Sequence, residues 1–207
     1  MNIFFDLDGT LLDSRKRMYV LFKKLVEESE FSFEEYWWLK RNKVNHKTIL
    51  EKYYPEINFL DFEKTWMNSI ESEELLCEDM LYEGATLILE KLKSNNRMYI
   101  LTARQNKKNL FKQLDKLNIT RFFVDILPTE HKTTKEQILK SRFALMSNDI
   151  IIGDTGYDIV TGKNVGIRTI AISHGFLSKE VLGKYEPDFL IDNLMEIGGI
   201  IPIKQEE

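Results

Sequence analysis

Two aspartates separated by a single residue, Asp6 and Asp8, close a short apolar run, Ile3, Phe4 and Phe5, and are followed at once by Gly9 and Thr10. An apolar run that ends in carboxylates and a glycine reads as a buried strand feeding a turn. In an extended strand the side chains at i and i+2 point to one side, so both carboxylates can face a single pocket at the strand's carboxyl end. Crowded carboxylates repel one another until a cation or a shared proton relieves them, which implies a metal site or acid–base work. The alternative is that the pair only satisfies amides of the turn.

The elements that must position this pair change character along the chain. Ser14 can cap a helix in which Met18, Leu21, Phe22, Leu25 and Val26 recur at helical spacing. Ser32 and Glu35 have the spacing of a capping box for a second helix through Trp37, Trp38 and Leu39. Asn45 can start a third that Pro55 ends, and a fourth is expected over 60–70. These four signals, with no strand between them, describe a helical module inserted after the first strand. From Leu81 onward helices (83–93, 107–117, 134–144, 157–164) alternate with apolar strands (98–101, 122–127, 150–152, 169–172), and a strand and helix at 189–191 and 193–197 close the pattern. Solidly apolar strands separated by helices imply an α/β protein with a parallel sheet covered on both faces, whose ligands bind at the strands' carboxyl ends.

Composition narrows the function classes. With 207 residues, 43% hydrophobic and 12% aromatic, the chain can bury a sizeable core. A net charge of −4 with both signs interspersed gives no basic stripe, so no nucleic-acid partner is expected. No run approaches the ~18 apolar residues of a membrane span. A single cysteine, Cys77, excludes an internal disulfide and points to a reducing compartment. A soluble, cytoplasmic monomer or homodimer is the expectation.

The stretch Asp6-Leu7-Asp8-Gly9-Thr10-Leu11-Leu12-Asp13 resembles the first motif of the haloacid dehalogenase-like hydrolase superfamily, Asp-x-Asp-Gly-Thr-Leu-x-Asp. Three later strand ends resemble the remaining motifs. Tyr99 to Thr102 is similar to the second, whose hydroxyl holds a phosphate oxygen; Ala103 and Arg104 follow where related phosphatases more often carry Ser or Asn. Arg104 either replaces that second contact or is solvated. Lys135, with Thr133 to Glu136 available as a capping box, resembles the third, and Lys132 is the alternative. Gly153-Asp154 followed by Asp158 resembles the fourth, and 186–192 is similar to the family's final strand.

The resemblance implies a Rossmann-like doubly wound core (1–13 and 80–207) with an all-helical C1-type cap (14–79). It points to the phosphatase branch that includes phosphoglycolate phosphatase and beta-phosphoglucomutase relatives. It further implies Mg²⁺ held by Asp6, Asp154 and the Asp8 carbonyl, with Asp6 as nucleophile and Asp8 as acid and then base. Thr102, Ala103 and Lys135 would hold the phosphate of a small metabolite, and Asp158 would support Lys135 or a metal-bound water. Arg41 and Lys43, in the aromatic and basic stretch after Trp37 and Trp38, are candidates for the leaving group. A sugar phosphomutase, with His46 as its cap residue, and a catalytically silent binding protein are the competing readings. His131 and His174 are expected to be solvated or structural.

Overall fold

In the computed structural model, which describes residues 1–202, the chain begins with β1 (Asn2–Phe5) and a short β2 (Leu12–Asp13). Five helices follow: α1 (Arg15–Leu25), α2 (Phe33–Arg41), α3 (His46–Tyr53), α4 (Phe59–Ser69) and α5 (Glu73–Leu76). The chain returns through β3 (Met80–Leu81), which pairs antiparallel with β2, so residues 13 and 80 lie opposite one another where the helical segment leaves and rejoins. The alternating part runs α6 (Ala85–Lys93), β4 (Arg97–Thr102), α7 (Lys107–Lys116), β5 (Asp125–Pro128), α8 (Lys135–Arg142) and β6 (Ile150–Gly153). It continues with α9 (Gly156–Val165), β7 (Arg168–Ile172), α10 (Lys179–Gly183) and β8 (Phe189–Ile191).

Six strands form one parallel sheet in the order β5-β4-β1-β6-β7-β8. The strand order reverses at β1, so its carboxyl end opens on the crevice where such sheets bind ligands. Ile3, Phe5, Ile100 and Ile152 are buried on one side of the sheet with α6 and α7, and Phe4, Tyr99, Leu101 and Ile151 on the other with α8. Each such side chain taken from water contributes about 1.5–3 kcal/mol. The helical segment has its own cluster, built on Phe22, Tyr36, Trp37, Phe62 and Trp66.

Local signals in the sequence mostly place the helices, with instructive departures. Ser32 and Glu35 form the expected box, and Asn45 accepts from Thr48 N–H at 2.8 Å. Ser14 stands before α1 without capping it, because its hydroxyl donates to Asp8 at 2.6 Å instead. The box ahead of α8 forms one residue later than expected, between Thr134 and Gln137. The expected strand over 122–127 splits: Thr120–Phe122 makes a 3₁₀ turn that buries Phe122 in the core, and β5 starts only at Asp125. The closing helix over 193–197 is a 3₁₀ turn, Leu194–Gly199.

Candidate active site

The carboxyl ends of β1 and β4 deliver Asp6 and Thr102 to one cleft, the first turns of α8 and α9 add Lys135 and Asp158, and the end of β6 sets Asp154 beneath it against Asp6. Lys135 Nζ donates to Asp6 Oδ1 at 2.5 Å and to Asp158 Oδ1 at 2.6 Å. Thr155 Oγ1 holds the second oxygen of Asp158 at 2.6 Å. Thr10 Oγ1 lies 3.2 Å from both Asp6 Oδ2 and Asp154 Oδ1, and Phe176 N–H donates to Asp154 Oδ2 at 2.6 Å. The backbone leaves no room for side chains here. Gly9 has φ +86°, and a Cβ on it would fall 2.1 Å from Asp154 Oδ2. The cleft has a volume of about 250 Å³.

Three of these carboxylates, Asp6, Asp154 and Asp158, offer oxygens that all lie within 4.8 Å of one another, and all three are buried. Burial raises the Asp6 pKa to about 7 against the pull of Lys135, with Asp158 and Asp8 adding repulsion. Burial, then Asp6 and Asp158, push Asp154 well above the carboxylate range. For Lys135, burial disfavours the ammonium, but Asp158 and Asp6 override it and hold the pKa above its ordinary value. One ammonium among three carboxylates leaves unbalanced negative charge on an all-oxygen donor set, which fits a hard divalent cation such as Mg²⁺.

Asp8 has a different environment. Its Oδ1 accepts from Ser14 Oγ at 2.6 Å, Arg17 Nη2 at 2.5 Å and Arg104 Nη2 at 2.7 Å, and its Oδ2 accepts from Arg104 Nε at 2.5 Å. Burial alone would raise its pKa; Arg104 and Arg17 reverse that and keep the carboxyl well below the usual range. Behind them Asp79 lies 3.3 Å from each guanidinium and accepts from Gln113 Nε2 at 2.8 Å. Burial raises the Asp79 pKa to about 6.

The structure thus brings together Asp6, Asp8, Thr102, Ala103, Lys135 and Asp158 as walls of one cleft, with Asp154 against Asp6. It separates the two lysine candidates: Lys132 is exposed and pairs with Glu130 at 2.7 Å, away from Asp6. Arg104 is neither solvated nor a free substrate contact, since it is 4% exposed and bound to Asp8. Arg41 and Lys43 are not among the residues lining the cleft. Arg41 Nη2 donates to the Ser173 carbonyl at 2.7 Å and Lys43 Nζ to Tyr185 Oη at 2.7 Å, so both cations tie α2 to the β7–α10 region. His46 Nε2 bonds Tyr36 Oη at 2.8 Å and its ring lies 4.2 Å from that of Trp66, inside the helical segment's aromatic cluster. His174 stacks on Tyr82, and His131 is exposed at the cleft. Sequence reasoning misses Arg17, Asp79 and Phe176; the basic run Arg15-Lys16-Arg17 that follows Ser14 is the available hint for Arg17.

Comparison with known proteins gives the family and the fold. The family model described as haloacid dehalogenase-like hydrolase matches residues 3–172. A Clostridium perfringens relative named for PpaX pyrophosphatase is 28% identical over 211 residues, covering 94% of this chain and 94% of that protein. A phosphoglycolate phosphatase from Vibrio parahaemolyticus is 23% identical, covering 97% of this chain and 96% of that protein. The fold superposes on a haloacid dehalogenase-like family hydrolase from Streptococcus pneumoniae with a TM-score of 0.78 at 23% identity, over 96% of this chain and 97% of that one. With most of its length matched by the family model and its acidic strand ends gathered in one cleft, the chain belongs to the haloacid dehalogenase-like hydrolases.

Proposed function

We propose that the chain is a Mg²⁺-dependent phosphatase that hydrolyses a small phosphorylated metabolite through an aspartyl-phosphate on Asp6. In this reading the helical segment 14–79 is a cap on a core of 1–13 and 80–207. The observation that carries the reading is the buried set of Asp6, Lys135, Asp154 and Asp158 around one cleft. A carboxylate approaching a phosphate dianion meets repulsion of roughly 4 kcal/mol per pair of unit charges at ~4 Å and an effective dielectric near 20. Asp6, Asp154 and the Asp8 carbonyl would hold Mg²⁺, which would supply positive charge to offset this repulsion.

The remaining work falls to the chain's own groups. An Asp6 oxygen attacks phosphorus and the bond from phosphorus to the leaving oxygen breaks. Lys135 Nζ, already on Asp6, neutralises the transferring group, and the Thr102 hydroxyl donates to one of its oxygens. Asp158 and Thr155 keep the Lys135 ammonium aimed at the site. Water then attacks phosphorus, Asp8 accepts its proton, and the bond from phosphorus to the Asp6 oxygen breaks, releasing phosphate and restoring the Asp6 carboxylate.

The arginines on Asp8 bear on the substrate. With four donors on its two oxygens, Asp8 is held ionised, and it can take up the water's proton only as those bonds loosen. To act first as an acid it must loosen from Arg104 or Arg17. A leaving group that departs as a stable anion needs no proton, so this geometry favours a phosphoanhydride such as pyrophosphate over an alkyl ester such as phosphoglycolate. The phosphomutase reading loses its cap residue, because His46 is committed to the aromatic cluster. The test is turnover of pyrophosphate, phosphoglycolate and an aryl phosphate with Mg²⁺ and after EDTA. Hydrolysis that needs Mg²⁺ and is fastest with pyrophosphate is expected. Full turnover without metal, or none with any phosphate, would remove the proposal.

A further inference from the structure

Phe176 takes part in two regions at once. Its backbone N–H donates to Asp154 Oδ2 at 2.6 Å, while its ring lies 5.5 Å from that of Trp37, inclined at 62°, packed on the helical segment's aromatic cluster. The flanking backbone is tied to α2 as well. Arg41 Nη2 donates to the Ser173 carbonyl at 2.7 Å, and Ser178 N–H donates to the Arg41 carbonyl at 3.1 Å. Between these ties Gly175 is pressed against the site: a Cβ on it would fall 2.3 Å from Asp154 Oδ2 and 2.3 Å from the Gly9 carbonyl. Among the described residues the other oxygen of Asp154 has only the longer 3.2 Å bond from Thr10.

We propose that Phe176 is a positioning residue through which the seating of the helical segment sets the orientation of Asp154, and with it the affinity for the divalent cation. This rests on the metal-dependent reading above. An N–H that donates to a carboxylate fixes the plane in which its free lone pairs point, and partners of this kind typically change metal affinity by roughly 10–100-fold when lost. The Phe176 N–H cannot be removed by a side-chain change, but its location depends on where the ring sits. When Trp37 and Arg41 hold residues 173–178 against α2, the amide lies on Asp154. Without them the segment relaxes and the carboxylate gains rotamers that do not face Asp6.

The test is Mn²⁺ binding to the full chain without substrate, followed by the electron paramagnetic resonance of free Mn²⁺. Trp37→Ala, which touches neither Asp154 nor the cleft, is expected to weaken binding by roughly 10-fold, and Arg41→Ala by a few-fold. Phe176→Ala should weaken it similarly, and Phe176→Leu, which keeps an apolar side chain in the seat, should recover most of the loss. A merely structural contact would lower the melting temperature and leave the Mn²⁺ affinity of folded protein unchanged, and that result in Trp37→Ala and Arg41→Ala would overturn the proposal. If circular dichroism shows Trp37→Ala unfolded, the half-buried Arg41 decides alone. Absence of Mn²⁺ binding by the unmodified chain would overturn the metal-dependent reading and this coupling with it, whereas equal affinities beside normal wild-type binding overturn the coupling only.

Discussion

At the strand ends Lys135 lies between Asp6 and Asp158, and Asp8 lies between Arg17 and Arg104, whereas in the helical segment Lys40 and His46 are set beside an aromatic cluster. Among the described residues Lys40 makes no ion pair, and burial lowers its pKa to about 8. Burial, and then the nearby Lys40, hold His46 well below its ordinary value. An unpaired buried charge is costly, and its loss of a proton is the cheapest relief. The site therefore keeps the charges of Lys135 and Asp8 by pairing them. The helical segment leaves the Lys40 charge without an ionic partner beside its aromatic cluster, so that charge is kept at neutral pH only at a cost.

The sharpest break in this comparison is Asp6→Asn. It removes the proposed nucleophile and the partner of Lys135 together, and turnover should fall by more than about 10³-fold with the fold retained by circular dichroism. Activity above a tenth of wild type would displace Asp6 as nucleophile. Metal removal acts on the same charge balance. EDTA should stop turnover and Mg²⁺ restore it, while Ca²⁺, which tolerates higher coordination numbers, should restore it poorly.

Asp8→Asn should slow turnover by roughly 10²–10⁴-fold for a substrate with a basic leaving group. Comparing leaving groups of different acidity checks the role: the defect should shrink as the leaving group becomes more acidic, and an equal loss for all would argue for an effect on Arg17 and Arg104 instead.

The helical segment should respond in stability rather than in catalysis. The folded pKa of Lys40, about 8, lies below its ordinary 10.5, so the unfolded chain binds more protons between those values and stability rises with pH across that window. At pH 7 the residue is charged in both states and penalised only when folded. Lys40→Met should therefore stabilise the protein by roughly 1–2 kcal/mol at neutral pH, read by urea titration, and the gain should fade as the pH climbs through 8 to 10.5. The smallest effect belongs to Lys43→Ala. Its ammonium bonds Tyr185 outside the cleft, so the ratio of kcat/KM between a metabolite and a small aryl phosphate should stay unchanged.

The same contrast explains what was legible in the sequence. Asp6, Asp8 and Thr10, and again Gly153, Asp154 and Asp158, sit within one strand end each, so local spacing carries their geometry. Lys135 was legible because a helix start fixes which residue faces back toward the sheet. The network on Asp8 joins residues 8, 17, 79, 104 and 113, which lie on five separate segments, and no period or spacing encodes such a closure. Arg41 and Lys43 lie outside the cleft for a reason of the same kind: a basic stretch says that cations are present, while the docking of α2 on residues 173–185 decides what they touch. The helices α5 and α10 are four and five residues long, too short for helical periodicity to show.

The central place of β1 also has a consequence for synthesis. Its two neighbours are β4 and β6, beginning at Arg97 and Ile150, so β1 leaves the ribosome well before the partners it pairs with. At a translation rate of roughly 5–20 residues per second, the first partner emerges about 5–20 s after Phe5. During that interval Ile3, Phe4 and Phe5 have no sheet to enter, and the nascent chain offers chaperones a short apolar segment until residues near 100 arrive.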